Sequence, residues 1–188
     1  DVPCHTRIEY AYHLMACAAG IEMSECRLLE EGEHRHFLTR RFDRTEDGGK
    51  LHMQTLGALA HFDFNVAGAH SYEEAVEVMR RIGLGQAEVA QLYRRMVLNV
   101  MARNHDDHVK NIAFLMDRQG IWTLAPAYDV TYAYNPDGVW TGTHQMSLNG
   151  KRDGITDDDL LACARHMSLR APKARSIVSE VREAVSAW

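Results

Sequence analysis

The chain has 188 residues, 46% of them hydrophobic, and a formal net charge of −5 from 21 basic and 26 acidic residues. This length and apolar content suit one globular domain with a core of its own. The acidic excess argues against nonspecific binding to the DNA backbone as the main task. No apolar run approaches the ~18 residues that a membrane-spanning helix needs. We therefore expect a cytoplasmic domain without a membrane partner.

The N-terminal quarter of the chain predicts a helix followed by a β-hairpin. Apolar residues recur at helical spacing over residues 8–20, with Glu9 near the start of that helix. Two apolar segments at residues 26–30 and 36–42 flank the polar residues 31–34, which is typical of two strands joined by a turn.

The middle of the chain predicts mostly helices. Residues 45–50 form a Gly-rich loop, and residues 51–61 favour a helix. Ser71 and Glu74 form a capping box that begins a helix running to residue 83. The longest helical stretch covers residues 86–103 and has a core-facing stripe of Val89, Leu92, Tyr93, Met96, Val97 and Val100.

The last third begins with a hairpin and ends with two helices. Residues 112–116 and 121–124 predict two strands around a turn at 117–120. Residues 132–146 are expected to be irregular, and helices are expected at 156–167 and 172–187, with Thr156 or Ser168 as capping residues. The predicted fold class is therefore mainly α with short β-hairpins, that is, α+β.

Three polar residues directly after the longest helix have the spacing of a phosphoryl-transfer site. Asp106 and Asn111 are five positions apart, and Asp129 follows after a hairpin-sized insert. Kinases use one Asp to orient the attacking hydroxyl, an Asn on the same loop to bind metal, and a later Asp to hold Mg²⁺ on ATP. Asp107 adjoins Asp106, but the spacing to Asn111 favours Asp106 as the catalytic residue. Asn111 and Asp129 are then the predicted Mg²⁺ ligands.

Several segments around these residues carry a family resemblance. They are Arg-Phe-Asp-Arg at 41–44, Asp-Asp-His-Val-Lys-Asn at 106–111, Ala-Pro-Ala-Tyr-Asp-Val at 125–130, and the polar segments 150–153 and 156–159. In this order they resemble the C-terminal catalytic part of the HipA family of bacterial serine/threonine kinases. The resemblance covers most of the chain. Val130-Thr131 stands where other kinases have Phe-Gly, a departure that the HipA family shares.

The resemblance implies a kinase-like C-terminal lobe spanning residues 1–188. Residues 1–44 would be the remnant of the nucleotide-lobe and hinge side, and residues 45–188 the helical catalytic lobe. The sequence contains no Gly-rich phosphate-binding motif. We therefore expect the N-terminal lobe to lie upstream and this chain alone to be inactive. The implied cofactors are ATP and Mg²⁺.

The resemblance also implies roles for two residues of the catalytic loop. Lys110 would be catalytic by neutralising charge on the transferred phosphate; the alternative is a solvated loop lysine. His108 would contact nucleotide or bond to backbone rather than shuttle protons.

Upstream, Arg40 and Phe42 would line the adenine pocket. The alternative places Phe42 in the core and makes Asp43 and Arg44 a surface ion pair of little energetic value. Glu9 would pair with an upstream ATP-contacting lysine, or be a solvated residue favoured by the helix N-terminus.

The resemblance implies a HipB-like DNA-binding antitoxin as partner, with DNA contacted only through it. The substrate would be a Ser or Thr hydroxyl on a protein such as a translation factor or an aminoacyl-tRNA synthetase. One alternative is a metal-dependent HD-type phosphohydrolase built on His105-Asp106 with His61, His70, His108 and Asp129. Another is a non-catalytic kinase-like module that binds an antitoxin.

Overall fold

The computed structural model describes residues 5–188. Residues 1–4, which belong to the domain predicted over 1–188, lie outside the described part. Six helices and five short strands alternate along the chain. In order they are α1 (His5–Ala18), β1 (Cys26–Glu31), β2 (His34–Thr39), β3 (His52–Thr55), α2 (Leu56–Ala60), α3 (Tyr72–Arg81), α4 (Gln86–Met101), β4 (Ala113–Met116), β5 (Trp122–Leu124), α5 (Asp157–His166) and α6 (Ala171–Ser186). This composition confirms the predicted α+β class.

Helix α4 is the centre of the core, as its apolar stripe predicts. Leu92, Tyr93, Met96 and Val97 are fully buried, while Val100 at the end of the stripe is only partly covered. The helix packs against α6, and α1 is tied to its end because the Tyr12 hydroxyl donates to the Ala102 carbonyl. The loop after α4 therefore starts from a rigid support.

The strands form two small antiparallel sheets. One is the β1–β2 hairpin, and the other has the order β3-β4-β5. Both hairpins were expected, and the second closes around Asp117, whose carboxylate accepts backbone N–H groups from Gln119 at 2.9 Å and Ile121 at 2.8 Å. This sheet fixes both ends of the segment between Asn111 and Asp129.

The predicted helix over residues 51–61 is wrong in its first half. His52–Thr55 pairs antiparallel with Ala113–Met116, and helix α2 begins only at Leu56. The Thr55 hydroxyl accepts the Ala58 N–H at 3.1 Å and so caps the helix at that point. The strand forms because β4 supplies a partner, which a local pattern does not contain.

Element ends differ from prediction at three further places. The first hairpin turns at Gly32-Glu33, where Gly32 has a φ of 59°, and β2 ends at Thr39, so Arg40 and Phe42 follow the strand. Thr156 caps α5 as expected, but α6 begins after Arg170. Ser168 instead accepts a hydrogen bond from Arg80 at 2.9 Å.

No helix within residues 5–188 combines the length and apolarity needed to cross a bilayer.

Candidate active site

The loop after α4 changes direction sharply. Arg103 adopts a left-handed φ of 54°, the Asn104 N–H bonds to the Asn99 carbonyl at 2.9 Å, and the His105 N–H bonds to the Ala133 carbonyl at 3.0 Å. These bonds tie the loop to the end of α4 on one side and to the segment after Asp129 on the other. The two halves of the predicted site are thereby brought together.

The two neighbouring aspartates have opposite environments. The Asp107 side chain is 1% exposed, whereas that of Asp106 is 47% exposed. Asp107 accepts hydrogen bonds from Tyr72 at 2.8 Å and from the Gln145 N–H at 2.7 Å, and its Oδ2 lies 3.0 Å from His144 Nδ1. Asp107 is therefore a structural anchor, and Asp106 is the carboxylate that a substrate can reach. The choice of Asp106 from its spacing stays a prediction, since Asp107 and not Asp106 lines the adjoining cavity.

The anchor extends through a chain of side-chain hydrogen bonds. Asn104 donates to Asn99 at 2.9 Å, Asn99 donates to the Tyr72 hydroxyl at 3.0 Å, and Tyr72 in turn donates to Asp107. Burial, followed by the nearby Asp107 charge, raises the pKa of Tyr72, so this hydroxyl stays protonated and donates. The network locks α3, α4 and the catalytic loop to one another.

Asn111 closes the loop through two hydrogen bonds. Its Nδ2 donates to the Asp106 backbone carbonyl at 2.9 Å, and its own N–H bonds to the His108 carbonyl at 2.8 Å. The amide nitrogen is thus used to close the loop. The amide oxygen accepts no hydrogen bond within residues 5–188, so it is available to a ligand.

Asp129 lies across the same small cavity, which is lined by Asn111, His108, Asp107 and Tyr128 among others. It has a left-handed φ of 56°, a strained region that Asp tolerates better than most residues. Such strain is concentrated at functional sites. Within the described part of the chain, its carboxylate accepts no hydrogen bond.

Glu9, on helix α1, is half-buried, and its pKa is raised by burial and then by the negative charge of Asp129. It does not line the cavity. Its pairing with an upstream lysine and its interpretation as a solvated residue near a helix N-terminus both stay predictions.

His108 lines the cavity, with its Nε2 3.9 Å from Asp106 Oδ1, too far for a hydrogen bond. Its carbonyl accepts the Asn111 N–H, a backbone role of the kind expected. The Lys110 ammonium lies 3.4 Å from the centre of the Phe64 ring, a cation–π contact outside the cavity lining. The Lys110 carbonyl accepts the Tyr128 hydroxyl, which joins the catalytic loop to the Asp129 segment.

Of the two residues predicted to line the adenine pocket, Arg40 and Phe42, only Phe42 has an aromatic contact with a cavity-lining residue. Phe42 is half-buried, and its ring centre lies 5.5 Å from that of Tyr128, next to Asp129. Arg40 is exposed, with its guanidinium 3.4 Å from Glu46. Phe42 is thus placed at the edge of the cavity wall and Arg40 further out.

Asp43 is buried, while its partner Arg41 is largely exposed. Asp43 is 9% exposed and is held by Arg41 through bonds of 2.8 and 2.6 Å and by Arg44 at 2.5 Å. These guanidinium groups, with the Arg41 hydrogen bond as the largest effect, lower the pKa of Asp43 to about 2. The cluster fixes the chain at the exit of β2.

Arg95 is a site residue that the sequence analysis missed. It lines the cavity from α4, is 7% exposed, and donates to the Ala125 carbonyl at 2.8 Å, while its Nε has no partner within residues 5–188. Burial lowers its pKa to about 10, so it remains a cation at neutral pH. Its spacing of three from Leu92, on the core-facing side of α4, is the feature that could have identified it.

The donor set fits a hard divalent cation. Asn111 and Asp129 offer one amide oxygen and one carboxylate on a shared cavity, and Mg²⁺ typically takes few protein ligands alongside phosphate and water. No group of three or more His, Cys, Asp or Glu residues in the 5–188 region could hold a metal. The arrangement thus suits a metal that arrives with a phosphate ligand.

Comparisons with known proteins agree with this geometry. The family pattern of the HipA-like C-terminal domain matches residues 1–188. A protein named "Putative kinase Y4dM" from Sinorhizobium fredii is 26% identical over 196 residues, covering 94% of this chain and 46% of that protein. The chain therefore spans about half the length of the curated relative that it matches.

Two solved structures share the fold. The toxin HipA of Shewanella oneidensis MR-1, solved with HipB and its operator DNA, superposes with a TM-score of 0.83 at 16% identity, over 100% of this chain and 50% of that one. The Helicobacter pylori proinflammatory kinase CtkA superposes with a TM-score of 0.59 at 13% identity, over 98% of this chain and 82% of that one. At these identities the likeness shows the fold.

Proposed function

Because the chain belongs to the HipA-like C-terminal domain family, we propose that it is the catalytic lobe of an ATP- and Mg²⁺-dependent protein kinase that phosphorylates a Ser or Thr hydroxyl. The single observation that carries this proposal is that Asn111 and Asp129 line one cavity and that their side-chain oxygens accept no hydrogen bond within residues 5–188. Asp106 does not line this cavity, but it lies on the loop of Asn111, whose Nδ2 donates to the Asp106 carbonyl at 2.9 Å.

Each residue has a role set by its surroundings. Asp106, half-exposed and free of hydrogen bonds to its carboxylate within residues 5–188, would orient the attacking hydroxyl and accept its proton. Asn111 and Asp129 would hold Mg²⁺, which when bound offsets the charge of the ATP phosphates. His108 would contact nucleotide from the cavity wall.

The residues around the metal ligands support this proposal electrostatically. Arg95 lines the cavity as a buried cation, and the charge of Asp129 contributes to the raised pKa of Glu9 on α1. By the family resemblance, Glu9 would pair with an ATP-contacting lysine. Phe42, stacked near Tyr128, would border the adenine, with Arg40 beyond it. Lys110 would have to leave the Phe64 ring to reach a phosphate, so its catalytic role is the least supported.

The HD-type hydrolase is less well supported. His105 packs against Tyr134 at 4.8 Å and His144 at 4.1 Å between ring centres, and of the residues named for that chemistry only His108 and Asp129 line the cavity. The donors for that chemistry therefore do not converge in the described residues. A non-catalytic module is also less favoured, because the polar side chains that phosphoryl transfer would need are present.

By analogy with the HipA–HipB–operator complex, a HipB-like antitoxin is the proposed partner, with DNA contacted through it. The proposed substrate is a protein, such as a translation factor or an aminoacyl-tRNA synthetase. The proposed compartment is the cytoplasm. These assignments rest on the family alone.

The test is phosphoryl transfer from radiolabelled ATP by the full-length protein and its variants. Asp106→Asn and Asp129→Asn should each lower autophosphorylation by at least about a hundredfold, since each removes a charge needed in the transition state. The matched control is Asp158→Asn, an exposed aspartate at the start of α5, which should act as wild type. Retained autophosphorylation in either site variant would reject the assigned roles.

A further inference from the structure

A second cleft lies between the end of α4 and residues 134–155. It has a volume of about 240 Å³ and is bordered by Arg103, His105, Tyr134, His144, Asp153 and Ile155. One water occupies roughly 30 Å³ in the liquid, so the cleft has room for a small molecule. None of these six residues has a role in the phosphoryl-transfer chemistry above.

The cleft carries one charge of each sign. The Arg103 guanidinium lies 4.8 Å above the Tyr134 ring centre, and the Asp153 carboxylate accepts only the N–H of Gly154 at 2.8 Å. Within residues 5–188 neither side chain forms an ion pair, either with the other or elsewhere. The two charges are therefore both available to a ligand.

His105 supplies an aromatic wall of the cleft. The residue is 6% exposed, and its Nδ1 is buried without a partner in the described part of the chain. Burial, followed by the neighbouring His144, lowers the pKa of His105. Because that nitrogen is buried, His105 contributes its ring surface to the cleft rather than a hydrogen-bonding group.

We propose that this cleft binds a small zwitterion of the amino-acid type. Arg103 would bind its carboxylate, while Asp153 would receive its ammonium group. Tyr134 and Ile155 supply apolar surface for its side chain.

The cleft is connected to the catalytic loop. His144, which stacks on His105 at 4.1 Å between ring centres, has its Nδ1 3.0 Å from the carboxylate of Asp107, the residue after Asp106. A ligand that fixes the two rings therefore also fixes the anchor of the loop. This coupling rests on the proposed function, but the binding itself does not.

The test uses the full-length protein and each of the proteinogenic L-amino acids, first by thermal shift and then by calorimetry. At least one should raise the melting temperature, and its N-acetyl and carboxamide forms should bind at least about tenfold more weakly. Arg103→Gln and Asp153→Asn should weaken binding to a similar extent without changing basal phosphoryl transfer. Arg118→Gln, on the exposed β4–β5 turn, is the matched control and should bind as wild type.

Two results would overturn the proposal: no amino acid binds, which would leave ordered water as the occupant, or binding survives in both cleft variants. Hydrogen exchange tests the coupling, since the bound ligand should slow exchange at residues 104–111. Unchanged hydrogen exchange in the presence of a bound ligand would reject the coupling but not the binding site. Neither readout requires kinase activity, so a failure here and a failure of the proposed function remain distinguishable.

Discussion

The two sides of the catalytic loop differ in how completely their polar groups are satisfied. On the inner side, Asp107 is buried and bonded to Tyr72, Gln145 and His144. On the outer side, the carboxylates of Asp106 and Asp129 accept no hydrogen bond within residues 5–188. The difference shows how a fold can present charges that it does not itself neutralise. The inner side stabilises the loop, and the outer side is left for a ligand.

The largest stability effect is expected for Asp107→Ala on the inner side. It leaves the Tyr72 hydroxyl, the Gln145 N–H and His144 without their shared acceptor, and breaking such a buried set costs about 3–5 kcal/mol. Asp106→Ala is the matched control and should change the free energy of unfolding by no more than about 0.5 kcal/mol. Urea unfolding measures both. Equal urea midpoints for the two variants would contradict the proposed difference between Asp107 and Asp106.

A smaller effect on the same side is expected for Tyr72→Phe. The ring stays in the core, but the hydroxyl between Asp107 and Asn99 is lost, at about 1–2 kcal/mol. Tyr132→Phe removes a hydroxyl from an exposed ring and should leave the unfolding midpoint unchanged. If the two tyrosine variants unfold alike, the network does not support the loop.

The smallest effect on stability is expected for Asp43, which lies outside the loop and serves as a reference for the variants above. Its pKa in the folded protein is lowered to about 2 by Arg41 and Arg44, so it stabilises the fold above its ordinary pKa and loses that effect as the pH falls from about 4 to 2. Because Arg41 is largely exposed, solvent screening limits the loss in Asp43→Asn to about 1 kcal/mol at pH 7. Thermal unfolding of both proteins should converge near pH 2. A constant difference down to that pH would show that the ion pairs are not its source.

Local features of the fold were predictable from the sequence. The capping box at Ser71, the helix cap at Thr156 and the apolar stripe of α4 depend on residues within a few positions of one another, and all three are confirmed. Strand β3 was mistaken for helix because its partner, β4, lies about sixty positions further along the chain. Non-local pairing overrides such a weak local preference.

The site likewise has features that the sequence pattern indicates and features that depend on distant parts of the chain. The spacing of Asp106, Asn111 and Asp129 is a one-dimensional pattern; Asn111 and Asp129 line one cavity, while Asp106 lies on the Asn111 loop outside its lining, so the roles of all three stay predictions. The anchor of Asp107 could not be predicted, since Tyr72 precedes it by 35 positions and His144 follows it by 37. Only the folded chain shows which of two adjacent aspartates is buried.

The central claim is that Asn111 and Asp129 hold a metal–nucleotide complex beside Asp106. The most direct measurement is titration of the full-length protein with Mn²⁺–ATP, followed by water-proton relaxation. Asp129→Asn should weaken this binding by at least about tenfold, because it removes the carboxylate ligand. Asp106→Asn should bind as wild type and yet transfer no phosphate. Undiminished Mn²⁺–ATP binding by Asp129→Asn would contradict the claim.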